Sequence, residues 1–282
     1  MREVRVDPHL GTVVHIVSGR QNRPNLPTEG CPFCIGGLEA PTEYQVKSFP
    51  NRWPALNEGY CEVVLYTPQH EATFASLDVD EIVDVIDIWA ERTAALHALP
   101  HGEYVVIFEN RGHEIGATIP HPHGQIYAFD HVPSRPRRQL EARWTPDDSP
   151  EQRLVFENDD WIAYTEFASV HPLSLRIATK KQTADISSLS AETRASLADT
   201  LKKILTACDA VFEAPLPYMM WINQAPRNTS QWPSAWLNIE IVSPWRRAGL
   251  PRYIAAVEIA TEEFFNPVDP SDIASRLRDL IS

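Results

Sequence analysis

Two periods of apolar and polar positions alternate along the chain. Cys61-Glu62-Val63-Val64-Leu65-Tyr66 is an almost unbroken β-branched and aromatic run that stops at Thr67-Pro68, which predicts a strand with a turn after it. From Val79 the period changes. Ile82, Val85, Ile86, Trp89, Ala90 and Leu96 recur close to every 3.6 residues and predict a helix reaching about His97. Asp78, with Glu81 three residues on, can cap it, the first turn is acidic, and Leu99-Pro100 ends it. Tyr104 to Glu109 and Ile126 to Phe129 read as further strands, and Thr12 to Val17 as an earlier one. Tight turns can join these strands as an antiparallel meander with the helix packed on one face.

The second half repeats this order in faded form. Ser174 to Gln182 matches the strand ending at Thr67-Pro68-Gln69-His70, and Ile186 to Leu189 matches Phe74 to Leu77. A helix over about Ala191 to Ala210 and a strand over Tyr218 to Asn223 follow in register. Trp236 to Val242 then takes the place of the strand that carries His121 and His123, without the histidines. Between the halves, residues 131–152 are rich in Pro, Arg, Glu and Asp and predict a surface linker. The chemistry is therefore expected in the first half, with the second supplying walls and contacts.

Composition narrows the function. With 282 residues, 43% hydrophobic and 22% charged, the chain fits a soluble globular protein of one large or two small domains. A net charge of −13 argues against a duplex-DNA or anionic-membrane surface, though a few arginines in a pocket can still hold a phosphate. There is no long apolar run, and the N-terminal segment is charged and strand-like, so a cytoplasmic protein is expected. Four cysteines there point to thiols or metal ligands, with Cys61 and Cys208 as core residues.

Candidate chemistry concentrates at Ile119-Pro120-His121-Pro122-His123-Gly124-Gln125. Histidines two apart on an extended segment project to one side. Imidazole can bind metal, move a proton or attack phosphorus, so one ring can hold a metal while the other faces a substrate. A lone His-x-His is equally compatible with plain hydrogen bonding. Cys31-Pro32-Phe33-Cys34 reads as a zinc half-site or a redox pair, and its Pro/Gly-rich setting favours zinc. His70, just past a strand end, is placed to be a third ligand. Arg20 and Arg23 offer bidentate donors in a loop that could equally be solvated. Ser48 to Leu56 is a proline-stiffened aromatic loop that could flank a base or plug the core.

These motifs, in this order and over nearly the whole chain, resemble the galactose-1-phosphate uridylyltransferase family, a branch of the histidine-triad superfamily with two fused copies. The resemblance also covers Asp7-Pro8 to Pro24, Phe108-Glu109-Asn110-Arg111-Gly112 and Asp269 to Arg278. It implies an α+β fold of tandem histidine-triad-like domains, each a mostly antiparallel sheet with helices on one face, fused pseudo-symmetrically. Residues 1–145 would be the domain with zinc and the catalytic histidine, and residues 146–282 a degenerate domain. It implies one structural zinc at Cys31, Cys34, His70 and His121, with iron as a substitute in such a site. His123 would be the nucleophile, forming a covalent nucleotidyl-histidine in a ping-pong exchange, with Gln125 on the phosphoryl oxygens. Gly116, Ala117 and Thr118 would meet the α-phosphate. Phe49, Asn51, Arg52 and Asn110 would line the nucleoside, and Arg20 and Arg23 would hold phosphate from the neighbouring subunit of a homodimer. Arg252, Tyr253 and Glu258 match sugar contacts.

The chain departs from the family pattern at the second metal site of some members. Asn223, Asn238, Glu240 and Gln139 stand there, so no second metal is expected. Phe264 appears in place of a sugar-pocket glutamine. The expected substrates are a nucleotide-sugar and a sugar 1-phosphate, with UDP-glucose and galactose 1-phosphate as the default pair, and no nucleic acid or membrane partner. The alternatives are transfer or phosphorolysis on an ADP- or GDP-hexose, a small hydrolase of the histidine-triad type, and a zinc-stabilised nucleotide binder without turnover.

Overall fold

A computed structural model of the chain describes residues 2–22 and 30–281. An N-terminal hairpin pairs β1 (Arg2–Val6) with β2 (Val13–Val17), and a short 3₁₀ turn over Ser18–Asn22 carries Arg20. Arg23 lies outside the described residues. The first half then runs β3 (Lys47–Pro50), β4 (Cys61–Leu65), α1 (Val79–His97), β5 (Tyr104–Arg111) and β6 (His123–Phe129). The start of the expected aromatic loop, Ser48 to Pro50, is thus strand, because it pairs with Glu62 to Val64. The second half runs α2 (Ser134–Glu141), β7 (Leu154–Glu157), β8 (Trp161–Thr165), β9 (Leu173–Thr179), α3 (Ala191–Ala210), β10 (Tyr218–Asn223) and β11 (Asn238–Ser243). After two short strands, β12 (Trp245–Arg247) and β13 (Leu250–Pro251), come α4 (Ala256–Thr261) and α5 (Pro270–Ile281).

Nine strands form one sheet, in the order β3-β4-β6-β5-β10-β11-β9-β8-β7, with every neighbouring pair antiparallel. The expected meander is corrected at β6, which lies between β4 and β5. The β4-to-β5 connection runs through α1, a crossover long enough to leave a strand's width between them for β6 to fill. The halves meet where β5 pairs with β10, Phe108 opposite Trp221.

Strand alternation gives the sheet two different faces. Ile107, Ile126, Ile222, Ile239 and Ile241 point to the helical side and share one core with Trp89 of α1 and Leu201 of α3. Each large side chain buried there contributes roughly 1.5–3 kcal/mol. His123, Gln125, Tyr127 and Phe129 alternate with these and point to the other side, half-buried. The capping box predicted at Asp78 forms, the Glu81 carboxylate accepting from the Asp78 backbone N–H at 2.8 Å.

The expected linker contains α2. Its proline, Pro136, sits in the first turn, where the missing N–H has no helical partner to lose. The helix is placed by tertiary contacts: Arg135 reaches the carboxylate of Glu240 through both guanidinium nitrogens, at 2.8 and 2.7 Å.

Candidate active site

The C-x-x-C segment folds as a tight knuckle. Gly37 N–H donates to the Cys34 carbonyl at 2.8 Å, and a Cβ on Gly37 would lie 2.6–2.8 Å from the carbonyl oxygens of Cys31, Pro32 and Cys34, so only glycine fits. His70 arrives from beyond the end of β4 and His121 from just before β6. One ligand atom from each of Cys31, Cys34, His70 and His121 falls within 4.8 Å of the others. Cys34 Sγ is 3.4 Å from His70 Nδ1 and 3.7 Å from His121 Nδ1. A tetrahedral ion about 2.3 Å from sulfur and 2.0–2.1 Å from nitrogen would set such edges at about 3.5–3.6 Å, so the four residues fit one.

The donor chemistry agrees. Burial, then the neighbouring Cys31, pushes the Cys34 thiol up, so a nearby cation is what would draw off its proton. Burial pulls His121 down, keeping that ring neutral. His121 Nε2–H donates to the Thr67 carbonyl at 2.8 Å, which leaves Nδ1 as the lone-pair nitrogen facing the sulfur. Tyr44 braces the site: its hydroxyl is 3.0 Å from His121 Nε2 and donates to the Phe33 carbonyl at 2.7 Å.

His123 opens β6, opposite Leu65 of β4. Its Nδ1–H donates to the His121 carbonyl at 2.8 Å, so Nε2 carries the ring's lone pair. The ring stands 5.0 Å from Phe33, which in turn meets Phe49 edge-on at 6.1 Å. It opens on a cavity of about 510 Å³, also lined by His70, Glu109, Asn110, Ala117 and Thr118. Gln125 is oriented by two donors to its side-chain oxygen, Asn51 Nδ2 at 3.2 Å and the Tyr127 hydroxyl at 3.3 Å, which turns its NH₂ away from both.

The structure therefore brings together the four expected ligands, His123, Gln125, Asn51, Asn110, Ala117 and Thr118. In the loop before His121, Gly116 takes the left-handed conformation at φ 86°. The backbone N–H groups of Gly116 and Ala117 are engaged inside that loop, with His113 and Gly112, so the donors expected there reduce to Thr118. Arg52 bonds Glu39 at 2.9 Å. Arg20 lies apart. Its hairpin packs through His15 on Phe129, at the far end of β6, roughly 20 Å from His123.

Arg252, Tyr253 and Glu258 are also absent from the lining of this cavity. Glu258 is buried and saturated, accepting from Arg252, from Ala255 N–H at 2.6 Å and from Phe265 N–H at 2.8 Å. Sequence reasoning missed Phe33, Tyr44 and Tyr127 as site residues. Strand period alone could have found Tyr127, two residues from Gln125 on the same face. No local signal marks Tyr44, 77 residues from the histidine it touches.

Known proteins resemble this chain in sequence and fold. The family model described as galactose-1-phosphate uridyl transferase, N-terminal domain, matches residues 42–133, and its C-terminal counterpart matches residues 121–256. The galactose-1-phosphate uridylyltransferase of Thermotoga maritima is 32% identical over 99% of this chain and 98% of that protein. A solved structure of a uridylyltransferase superposes with a TM-score of 0.90 at 29% identity, covering 100% of this chain and 98% of that one. An ADP-glucose phosphorylase from Arabidopsis thaliana, solved with ADP-glucose, has the same fold: TM-score 0.78, 23% identity, 99% of each chain covered.

Proposed function

We propose, for a chain that belongs to the galactose-1-phosphate uridylyltransferase family, a uridylyltransferase reaction carried by His123. The enzyme exchanges UMP between a UDP-hexose and a hexose 1-phosphate, with UDP-glucose and galactose 1-phosphate as the default pair. The observation that carries the assignment of His123 is its fixed tautomer: Nδ1–H is held by the His121 carbonyl, and Nε2 presents a lone pair at a cavity.

His123 Nε2 attacks the α-phosphorus of the nucleotide-sugar. An N–P bond forms, the bond from that phosphorus to the bridging oxygen breaks, and hexose 1-phosphate leaves with the bond's electron pair. The His121 carbonyl, accepting from Nδ1–H, stabilises the positive charge that develops on the ring. The Gln125 NH₂ and the Thr118 hydroxyl meet the phosphoryl oxygens. A second hexose 1-phosphate then attacks the phosphorus and restores neutral His123. Asn51, Asn110 and the Phe33–Phe49 pair form the nucleoside side of the cleft, with Arg52 at its edge.

Zinc, by ligand type, would sit at Cys31, Cys34, His70 and His121, with iron as the substitute. Four protein donors close the coordination sphere, so the ion's contribution is structural, holding His121 and through it the strand that bears His123. Residues 1–145 form the catalytic domain in this reading and residues 146–282 the supporting one.

The site is completed by a second copy of the chain. The segment 250–265 leaves Tyr253 82%, Ile259 68% and Phe265 65% exposed, an apolar run suited to another protein surface. Tyr253 of one protomer reaches the other's cleft, with Arg252 buried against Glu258 beneath it. Glu258, saturated within its own chain, shapes that arm. Arg20 and Arg23 hold phosphate in the neighbouring protomer's site. The enzyme works in the cytoplasm, a reading supported by Cys31 and Cys34 being set with two histidines as metal ligands.

Ping-pong exchange is the test. Labelled glucose 1-phosphate should enter UDP-glucose with no other sugar phosphate present. Exchange that requires a third reactant would contradict the covalent route. The fold shared with an ADP-glucose phosphorylase motivates a second reading, transfer from an ADP-hexose, and faster exchange with the ADP- than the UDP-sugar would favour it.

A further inference from the structure

On the helical side of the sheet, where Arg92 pairs with Glu62 of β4, a second buried carboxylate lies directly under His123 and Gln125. Gly124, between them on β6, is flanked by Val64 of β4 and, one step past the Phe108–Gln125 pair, by Glu109 of β5. Beneath it lie three buried polar side chains from three elements: Tyr66 just after β4, Glu109, and Tyr218 of β10. The Tyr218 hydroxyl donates to Glu109 Oε1 at 2.9 Å, and Tyr66 lies against the same carboxyl. Glu109 Oε2 and the Tyr66 hydroxyl are buried without a well-formed hydrogen bond among the described residues. A Cβ on Gly124 would lie 2.1 Å from that hydroxyl, so the phenol occupies the space a side chain there would need.

The second half supplies an internal control. Its counterpart of Gly124 is Ile239, flanked by Ile222 and Ile177, so an isoleucine, which carries no carboxylate, stands where Glu109 stands. A buried polar group without a partner costs about 1–3 kcal/mol, and under the strand with the catalytic histidine two such atoms, Glu109 Oε2 and the Tyr66 hydroxyl, lie together.

We propose that Glu109 is a positioning residue for the uridylyl transfer: braced by Tyr218, it sets the Tyr66 phenol under Gly124 and so fixes the strand that carries His123 and Gln125. The inference rests on the reading of His123 as nucleophile. Burial raises the Glu109 carboxyl to about 7, opposed by Tyr218, Arg111 and Tyr66. Arg111 is itself paired with Asp209 of α3. Burial holds both phenols well above their ordinary range, so they stay protonated. Ionisation of Glu109 would therefore place a charge under β6 while the phenols are unchanged.

The test uses the full-length, metal-loaded enzyme and UDP-glucose, reading kcat, KM, pH profile and melting temperature. Tyr66→Phe should lower kcat by about 10- to 100-fold, the scale of a small misplacement, while KM moves little. Gly124→Ala should lose at least as much, and Tyr66→Phe/Gly124→Ala should recover about 10-fold, because the clashing oxygen is gone. Glu109→Gln, which keeps shape and hydrogen bonding, should match wild type at pH 6 and lack the decline that wild type shows as pH rises through about 7. A merely structural network would lower the melting temperature and leave kcat and its pH profile alone, which overturns the proposal, as does a Gly124→Ala defect that Tyr66→Phe fails to relieve. A wild-type protein that forms no covalent nucleotide overturns the transfer reading itself, and the inference with it.

Discussion

The two halves of the sheet use the same strands for different ends. Across the β5–β10 seam, Gln125 opposes Phe108, Phe108 opposes Trp221, and Trp221 opposes Glu240. Glu240 therefore stands where Gln125 stands, and Asn238 where His123 stands. In the first half His123 faces a cavity of about 510 Å³. In the second, Gln139 and Trp144, with Trp236, close the space around Asn238 to about 20 Å³.

The charges differ as well. Glu240 is bound by Arg135 at 2.7 Å and Arg176 at 2.9 Å, and Asn223 donates to it at 2.8 Å. Arg176 also donates to Asn238, so the counterpart of the nucleophile is already occupied. One backbone plan thus supports a cleft lined by a histidine of fixed tautomer, and a closed polar brace where the counterpart side chains pair with one another. A separate cavity of about 600 Å³ lies over the brace, but its charged groups, Arg135, Arg176, Glu166 and Glu240, satisfy each other.

The sharpest way to break the comparison is to remove the two counterparts in turn. His123→Ala should cost four or more orders of magnitude in kcat, as expected for loss of a covalent nucleophile. Asn238→Ala should lower stability and leave kcat within about threefold, since it is remote from the chemistry. Metal extraction comes next. A strong chelator, or Cys34→Ser, should lower the melting temperature by more than about 10 °C. The second half has no matching Cys/His group among the described residues, and its brace should be indifferent to chelation. Glu240→Leu takes one carboxylate from Arg135 and from Arg176, which keeps Glu166, and should destabilise by about 1–3 kcal/mol at unchanged exchange rate.

The subtlest expectation is opposite pH dependence of stability in the two halves. Glu109, raised from 4.5 to about 7, contributes stability that is complete below about pH 4.5 and lost as pH rises through 7, by at most about 3 kcal/mol. Burial pushes Glu240 up, but Arg135 and Arg176 overcome it and the net shift is down, so its contribution holds at neutral pH and is lost on acidification. Chemical denaturation from pH 4 to 8 should show Glu109→Gln gaining on wild type toward neutral pH, and Glu240→Gln losing its deficit toward acid.

The legible parts of this molecule were those encoded at short range. The helix over 79–97, the twin histidines, the C-x-x-C knuckle and the repeat of strand and helix all follow from local spacing. Long-range packing hid the rest. Nothing near Tyr44 or Tyr66 in sequence announces His121 or Gly124, because those contacts exist only once β4, β5 and β6 are side by side. The same reason explains the linker: α2 is held by Arg135 meeting Glu240, 105 residues away, and its composition alone reads as loop. The order of β4, β6 and β5 is likewise a property of the crossover through α1, which strand patterns do not state.

The central claim, one nucleotide carried covalently by one histidine in one half, is met most directly by intact mass. The metal-loaded protein would be mixed with UDP-, ADP- and GDP-hexoses beside His123→Ala and Asn238→Ala. The account predicts a gain of one uridylyl group per chain from the UDP-sugar, kept in Asn238→Ala, lost in His123→Ala and discharged by a hexose 1-phosphate. No gain with any donor, or a gain that survives His123→Ala, would contradict it.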